Sequence, residues 1–291
     1  MTPSASTLTD TELMRAERDI ARQHIGRFPY FAVVWAFTNF AVWLSLWPLV
    51  LLGYLPLWAG FFIATLNIML SYLPSHEAQH DIIALPGSRL RWLNEAVGHI
   101  STIPLVLPYR VARLTHIEHH KHANDPDLDP DYSTHANGPL HAIWKSLMNR
   151  QPGAKGEANA YGVTLQRIGR QDVILDAVLY DIVFYGILFA LAWSGHAIEA
   201  ALLWWLPRHI ALTYIQYYLS WAPHHPAAET GRYRNTRGFR SILGNIGSMG
   251  MQYHIVHHLH PRIPLYRTPQ AYWQMRDILE ARGCRISELQ G

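Results

Sequence analysis

Charge is scarce in this 291-residue chain: 15% of residues are Asp, Glu, Lys or Arg, against about 25% in an average soluble domain. Cysteine is nearly absent. The single Cys284 excludes an internal disulfide, a cysteine-ligated zinc and an iron–sulfur cluster. Excess charge of one sign is also missing. The net charge of +3, with no basic stripe carrying interleaved aromatics, gives no case for nucleic acid. Low hydrophobicity is absent too, at 49% apolar residues, so disorder is excluded. Two things are present in excess, long uncharged runs and 18 histidines.

Phe28 to Leu52 and Tyr54 to Pro74 contain no charge. Roughly 20 apolar residues cross a bilayer as a helix, so both qualify as spans joined by a tight turn at Gly53. The first begins too late and runs too long for a signal peptide. Val173–Trp193 and Ala197–Trp221 read as a second hairpin, although Asp176 and Asp181 lie in one span and Arg208 in the other. Asp181 and Arg208 are expected to pair across the two. Ala96–Tyr109 is too short to cross and reads as re-entrant or surface-lying. Residues 1–27 hold 4 Lys/Arg, 75–172 hold 10 and 222–291 hold 9; Arg208 completes the 24. Neither hairpin tip has any, so the positive-inside rule puts both termini and the long middle segment in the cytoplasm. Four spans require the termini to share a side, and the two arguments agree. The expected fold is an all-α integral membrane protein, with four transmembrane helices in two hairpins and a cytoplasmic helical cap. Residues 1–27 form an N-terminal segment, 28–283 the membrane domain and 284–291 a tail. Thr11–Arg27 reads as an amphipathic helix, Met1–Asp10 as loose and Gln151–Asn159 as a mobile loop.

Twelve histidines fall in four clusters: His76 and His80; His116, His119 and His120 with His122; His224 and His225; and His254, His257 and His258 with His260. Positions i, i+3 and i+4 share a helix face, so the HxxxH and both HxxHH patterns each aim their imidazoles in one direction. Each cluster lies at or beyond the end of a span, on one side. Leu would bury better at such positions, so packing does not explain them. Eight imidazoles from the three boxes, with His224 as a ninth, exceed one metal's capacity and give two metals four or five ligands each. Imidazole suits iron, copper, nickel and zinc alike. Of the acidic neighbours Asp81, Glu118, Asp125 and Asp127, Asp81 and Asp125 are the best placed to accept the outer ring N–H groups; the run 125–131 otherwise reads as a solvated turn. His24, His135, His141 and His196 read as capping or snorkelling residues and His209 as structural.

His76-Glu77-Ala78-Gln79-His80 also matches H-E-x-x-H, the zinc-peptidase helix in which the glutamate is general base. That mechanism uses three protein ligands and an open position, and leaves both HxxHH boxes unexplained. A metal transporter would place its ligands near the bilayer midplane.

The boxes on one side of two membrane hairpins resemble the membrane fatty-acid desaturase/hydroxylase superfamily of non-haem di-iron enzymes, over roughly Ser75 to Gly283. Within it, three stretches resemble the beta-carotene hydroxylases of cyanobacterial type. They are Thr115–Pro126 with Asp129-Pro-Asp131, Ala222–Pro226 followed by Arg232–Arg237, and Tyr253–Pro261 followed by Ile263–Arg267. His76-Glu77 departs from the His-Asp of the carotenoid enzymes. The resemblance implies His76, His80, His116, His119, His120, His224, His254, His257 and His258 as ligands of two ferrous ions. It leaves His225 as an outer neighbour and His122 and His260 outside. It further implies O2 as co-substrate, attack on an unactivated C–H bond, and a lipid substrate entering from the bilayer. A carotenoid ring is placed ahead of an acyl chain. Because the chain has no haem motif, Rossmann fingerprint or cysteine cluster, electrons must come from a ferredoxin or similar donor. The basic segment Arg232–Arg240 could dock such a donor or contact lipid headgroups. The expected location is the cell inner membrane, with the active site on the cytoplasmic side.

Overall fold

The computed structural model describes residues 7–151 and 156–289; the expectations for Met1–Asp10 and Gln151–Asn159 fall partly outside them. Among the described residues the chain is helical, with one isolated bridge between Arg237 and Arg285 in place of strands. The helices are α1 (Asp10–His24), α2 (Tyr30–Leu51), α3 (Leu57–Gln79), α4 (Arg91–Thr102), α5 (Tyr109–His122), α6 (Pro139–Met148), α7 (Glu157–Arg167) and α8 (Ile174–Trp193). They continue with α9 (Ala197–Ala200), α10 (Leu206–Ile215), α11 (Gly244–Gly247), α12 (His254–Leu259) and α13 (Thr268–Ala281).

Three helical stretches, Tyr30–Leu51, Leu57–Gln79 and Gln171–Trp193, are long and apolar enough to cross a membrane. Their outer faces are exposed apolar side chains, Phe31, Val34, Phe62, Leu179 and Phe189 among them. The expected fourth span is a composite helix over 197–221. Its α-helical parts α9 and α10 are each followed by a π segment, Ala201–Trp205 and Gln216–Trp221. Inserting π turns shifts the facing of everything that follows, a feature frequent at functional sites.

Polar pairs fix the bundle where only apolar surface would otherwise meet. Asn67 Nδ2 donates to the Asn39 carbonyl and side-chain oxygens at 2.8 and 2.9 Å, and Asn39 Nδ2 returns a bond to the Asn67 carbonyl at 3.1 Å. Gly60 lets α3 approach closely: a Cβ there would lie 2.8 Å from Val50 and 2.9 Å from Leu203. Trp204 joins three elements, with its ring 5.1 Å from Trp43 and 4.8 Å from Phe184, while its Nε1 donates to the Pro104 carbonyl. The stretch Ala96–Tyr109 thus does not lie on the surface. Its first half belongs to α4, and Leu105 and Val106 are buried against the bundle.

Asp181 and Arg208 form no ion pair, which corrects the sequence expectation. Arg208 Nε donates to the Leu105 carbonyl at 2.8 Å, and the guanidinium lies over the Phe184 ring. Asp176, the other acid of that span, pairs instead with Arg110 at 3.2 Å.

A second core, built from α1, α12 and α13, holds the last histidine box. Thr9 and Glu12 form a reciprocal capping box that starts α1. Leu13, Glu17, Ala21 and His24 then recur on its buried face. Tyr272, Met275 and Leu279 of α13 pack with Ala21 of α1 and with Ile255, Val256 and Leu259 of α12. The latch between them is Glu17, which accepts from His260 Nε2 at 2.9 Å, Arg232 at 3.0 Å and Tyr233 at 2.9 Å.

Burial alone would raise the Glu17 pKa, but these three bonds outweigh it and hold the carboxyl down, from 4.5 to about 2. A depressed carboxylate contributes stability that is complete above the unfolded value and is lost as pH falls through the folded one. Glu17→Gln is therefore expected to cost about 1–2 kcal/mol at neutral pH, after allowance for solvent screening. Thermal melts in detergent at a series of pH values check this. The gap between wild type and variant should close between pH 4.5 and 2, and a constant gap would contradict the latch.

Candidate metal centre

Box one rides on a membrane helix. The sequence expectation ended that span at Pro74, but α3 continues through the proline to Gln79, so His76 lies on it and His80 caps it. The carbonyl of Ala78, between the two histidines, accepts from both Asn94 Nδ2 and Tyr109 Oη at 3.0 Å. The Tyr109 ring can reach it because Gly98 presents no side chain; a Cβ there would sit 2.4 Å from the ring. Box two lies on the last turns of α5, box three on α12, and His224 follows the composite helix directly.

Together these segments bring all nine sequence-predicted histidines to one place. His76, His80, His116 and His257 form one group and His119, His224, His254 and His258 another, each with ligand atoms within 4.8 Å of one another. His120 lies between them. Its Nε2 is 3.1 Å from that of His116 and 3.0 Å from that of His257, and its ring stacks on His258 at 4.1 Å. Further Nε2–Nε2 approaches are 2.9 Å for His80–His116 and 3.1 Å for His119–His224.

A neutral imidazole carries one lone pair and one N–H. Both ring nitrogens of His76 and of His258, together with His254 Nε2, are buried without a hydrogen-bond partner. Such groups are costly unless something accepts their lone pairs. A cation in each group would take one lone pair from each of these rings, leaving an N–H of His76 and of His258 still to be paired, and the donor set fits two metal ions. Burial holds His80, His116, His120, His254, His257 and His258 well below the usual histidine pKa. They are neutral, the form a metal requires.

Outer contacts orient two of the rings. His119 Nδ1 lies 2.8 Å from Asp129 Oδ1 and His224 Nδ1 3.0 Å from the Asn235 carbonyl, so both present Nε2 inward. For His119, burial pulls the pKa down, but the Asp129 charge and hydrogen bond outweigh it and raise it to about 9. Asp131, 3.8 Å from the same nitrogen, accepts from Tyr161 Oη at 3.0 Å.

The expected outer neighbours are placed elsewhere. Asp81 is taken up by Arg91 and Arg113, the latter at 2.9 Å to both oxygens. Asp125 caps its own turn, accepting from the Asp127 and Leu128 N–H groups. His225 lies against Trp221 at a tilt, ring centroids 5.0 Å apart, outside both groups. Among the described residues, none of the three is hydrogen-bonded to a ring of the two groups. The run 125–131 is only partly a solvated turn: Asp125 and Asp127 fit that reading, whereas Asp129 is buried. Its signal in the sequence was the repeated Asp-Pro, which folds the turn so that Asp125 caps it and Asp129 points back to α5. Glu77, the peptidase-like glutamate, accepts from the Leu265 N–H at 2.7 Å and so ties box one to the chain beyond box three.

A cavity of about 80 Å³ is lined on one side by His76, His116, His119 and His254 with Asp131 and Gln216, and on the other by Leu107, Ala112, Leu212, Ile215 and Leu219. Leu107, Tyr161 and Leu212 also line a cleft of about 490 Å³, which continues between α8 and the composite helix past Asp181, Tyr185 and Arg208.

Apolar helices long enough to cross a bilayer, together with two groups of four imidazoles and a ninth between them, define a helical protein whose histidine clusters could hold metal ions. Comparison with known proteins places it further. The fatty acid desaturase model matches residues 52–290, and the chain belongs to that family. It is 25% identical over 210 residues to an sn-1 acyl-lipid omega-3 desaturase (ferredoxin) of Nostoc sp. (strain 36), covering 65% of this chain and 55% of the relative. The corresponding omega-3 desaturase of Synechocystis sp. is 23% identical over 238 residues, 72% of this chain and 64% of the relative. A zeaxanthin 4-ketolase of Chlamydomonas reinhardtii is 35% identical over 74 residues, 25% of this chain and 16% of the relative. The chain therefore spans a little over half the length of the first of these relatives.

Replacing Asp129 by Asn keeps the volume and removes the charge that orients His119. Metal affinity is expected to fall roughly 10–100-fold, while Asp125→Asn leaves it unchanged. Chelator-competition titration of the two variants measures this, and equal affinities would contradict the assignment.

Proposed function

We propose that the chain is a membrane-bound, O2-dependent oxidoreductase that holds two iron ions on His76, His80, His116, His119, His120, His224, His254, His257 and His258 and oxidises a C–H bond of a lipid. The observation that carries this reading is the convergence of nine imidazoles on a cavity whose far wall is Leu107, Ala112, Leu212, Ile215 and Leu219. Iron bound there supplies O2 activation for hydrogen abstraction. The protein's own contribution is position and dryness. Asp129 and the Asn235 carbonyl aim two rings, and the Ala78 clamp holds the box-one turn. Leu107, Leu212, Ile215 and Leu219 keep water from the reacting carbon.

Four spans, with the composite helix as the fourth, put the metal site at one membrane face. The lysine and arginine distribution supports the cytoplasmic face of the cell inner membrane. A ferredoxin or similar carrier is the electron source; the name of the Nostoc relative supports this, as does the lack of a redox-cofactor motif in the sequence. For the substrate, the stretches after boxes two and three and the ketolase relative support a carotenoid, hydroxylated on its ring. Desaturation of an acyl lipid is the second reading, supported by the acyl-lipid desaturases that align with the larger share of the chain.

Mass spectrometry of lipid extracts from bacteria that make beta-carotene, with and without this gene and a ferredoxin system, tests both. The carotenoid reading predicts one added oxygen per ring, lost in His119→Ala. New acyl double bonds with unchanged pigment would transfer the assignment to the second reading. Neither change, in cells where the purified protein holds its iron, would overturn both.

A further inference from the structure

Helix α6 is amphipathic the wrong way round for an aqueous surface. Its inward face is small and polar: Ser146 donates to Gln216, Lys145 Nζ donates to the His135 carbonyl at 2.6 Å, and Arg150 just beyond reaches Ser146 at 2.8 Å and Thr213 at 2.5 Å. Its outward face is Leu140, Ile143, Trp144, Leu147 and Met148, with Leu140 80% and Trp144 61% exposed. Those positions follow i, i+3, i+4, i+7 and i+8, a single stripe. A second exposed apolar group lies nearby. Ile242 is 99% and Ile246 88% exposed around α11, and Tyr214 Oη donates to the Gly247 carbonyl, which ties that turn to the composite helix. Between α6 and the composite helix runs an apolar groove of about 500 Å³, lined by Met69, Ile143, Leu147, Ile210, Tyr214 and Tyr217.

We propose that α6 and the turn around α11 lie in the bilayer interface on the metal-site side, and that a lipid acyl chain occupies the groove between α6 and the composite helix. The outer stripe is continuous with the apolar surface of residues 206–217, so the same solvent covers both. In water this surface would form one large apolar patch. Within the headgroup–acyl boundary it is the ordinary arrangement of an in-plane helix. Because α6 packs against the last turns before His224, the metal groups then sit at the depth of the interface, not above it in water. The inference needs only that the chain is a membrane protein, and holds for either substrate.

Site-directed spin labelling tests it, since the one native cysteine, Cys284, is buried. Labels at Trp144→Cys and Ile246→Cys, in full-length protein reconstituted into phosphatidylcholine nanodiscs, are expected to be severalfold more accessible to O2 than to a water-soluble nickel chelate. A label at Phe189→Cys in a span should behave alike, and one at Arg22→Cys on α1 should show the reverse. Nickel-dominated relaxation at 144 and 246 would overturn the proposal. So would exclusion of both reagents, which would mean that a second copy covers the face. As an independent readout, brominated acyl chains should quench wild-type tryptophan fluorescence more than that of Trp144→Phe; equal quenching counts against it.

Discussion

The fold depends on holding nine imidazoles a few ångströms apart with little access to water. In solution that many histidines would each find their own solvent partners, and some would carry protons. Here burial disfavours protonation of these rings, His119 beside Asp129 excepted, and leaves ring nitrogens of His76, His254 and His258 without a hydrogen-bond partner, so that lone pairs are free to meet a cation. Every box is therefore anchored from outside the cluster. Box one is pinned by Asn94 and Tyr109 on the Ala78 carbonyl, and box two by Asp129 on His119. Box three is held by the second core beneath α12. The Glu77–Leu265 bond couples the first to the last across 188 residues.

What was legible in the sequence was whatever has a period. Histidines at i, i+3 and i+4 announce a common face by their spacing alone. Uncharged runs of twenty residues announce spans, and the amphipathic pattern over Thr11–Arg27 announces α1. What was illegible depended on how a turn closes or how a helix is phased. Asp81 and Asp125 are nearer in sequence to the histidines than Asp129, yet Asp81 is claimed by two arginines and Asp125 by its own turn. Only the folded run 125–131 returns Asp129 to His119. Arg208 and Asp181 lie on adjacent helices, but π segments alter the register of the composite helix, and the Leu105 carbonyl becomes available only when 103–108 folds into the bundle. Neither event has a signature in residue spacing.

The same geometry relates the site to its surroundings. The cavity beside the histidines is small, and it shares Leu107, Tyr161 and Leu212 as walls with the cleft between α8 and the composite helix. A route between membrane helices suits a substrate that never leaves the bilayer. Helix α6, apolar outward and polar inward, is consistent with a metal site at the depth of the membrane surface. The composite helix serves both sides: Leu212, Ile215 and Leu219 face the cavity, Ile210, Tyr214 and Tyr217 face the groove, and His224 follows at its end.

On the reading proposed, the nine histidines form two metal positions and not one. Elemental analysis of the purified full-length protein, with Mössbauer spectra after growth on enriched iron, measures this most directly. Two irons per chain are expected, with spectra of a coupled, nitrogen-rich pair. A single tightly held zinc, or one iron per chain in protein that retains its fold, would contradict it.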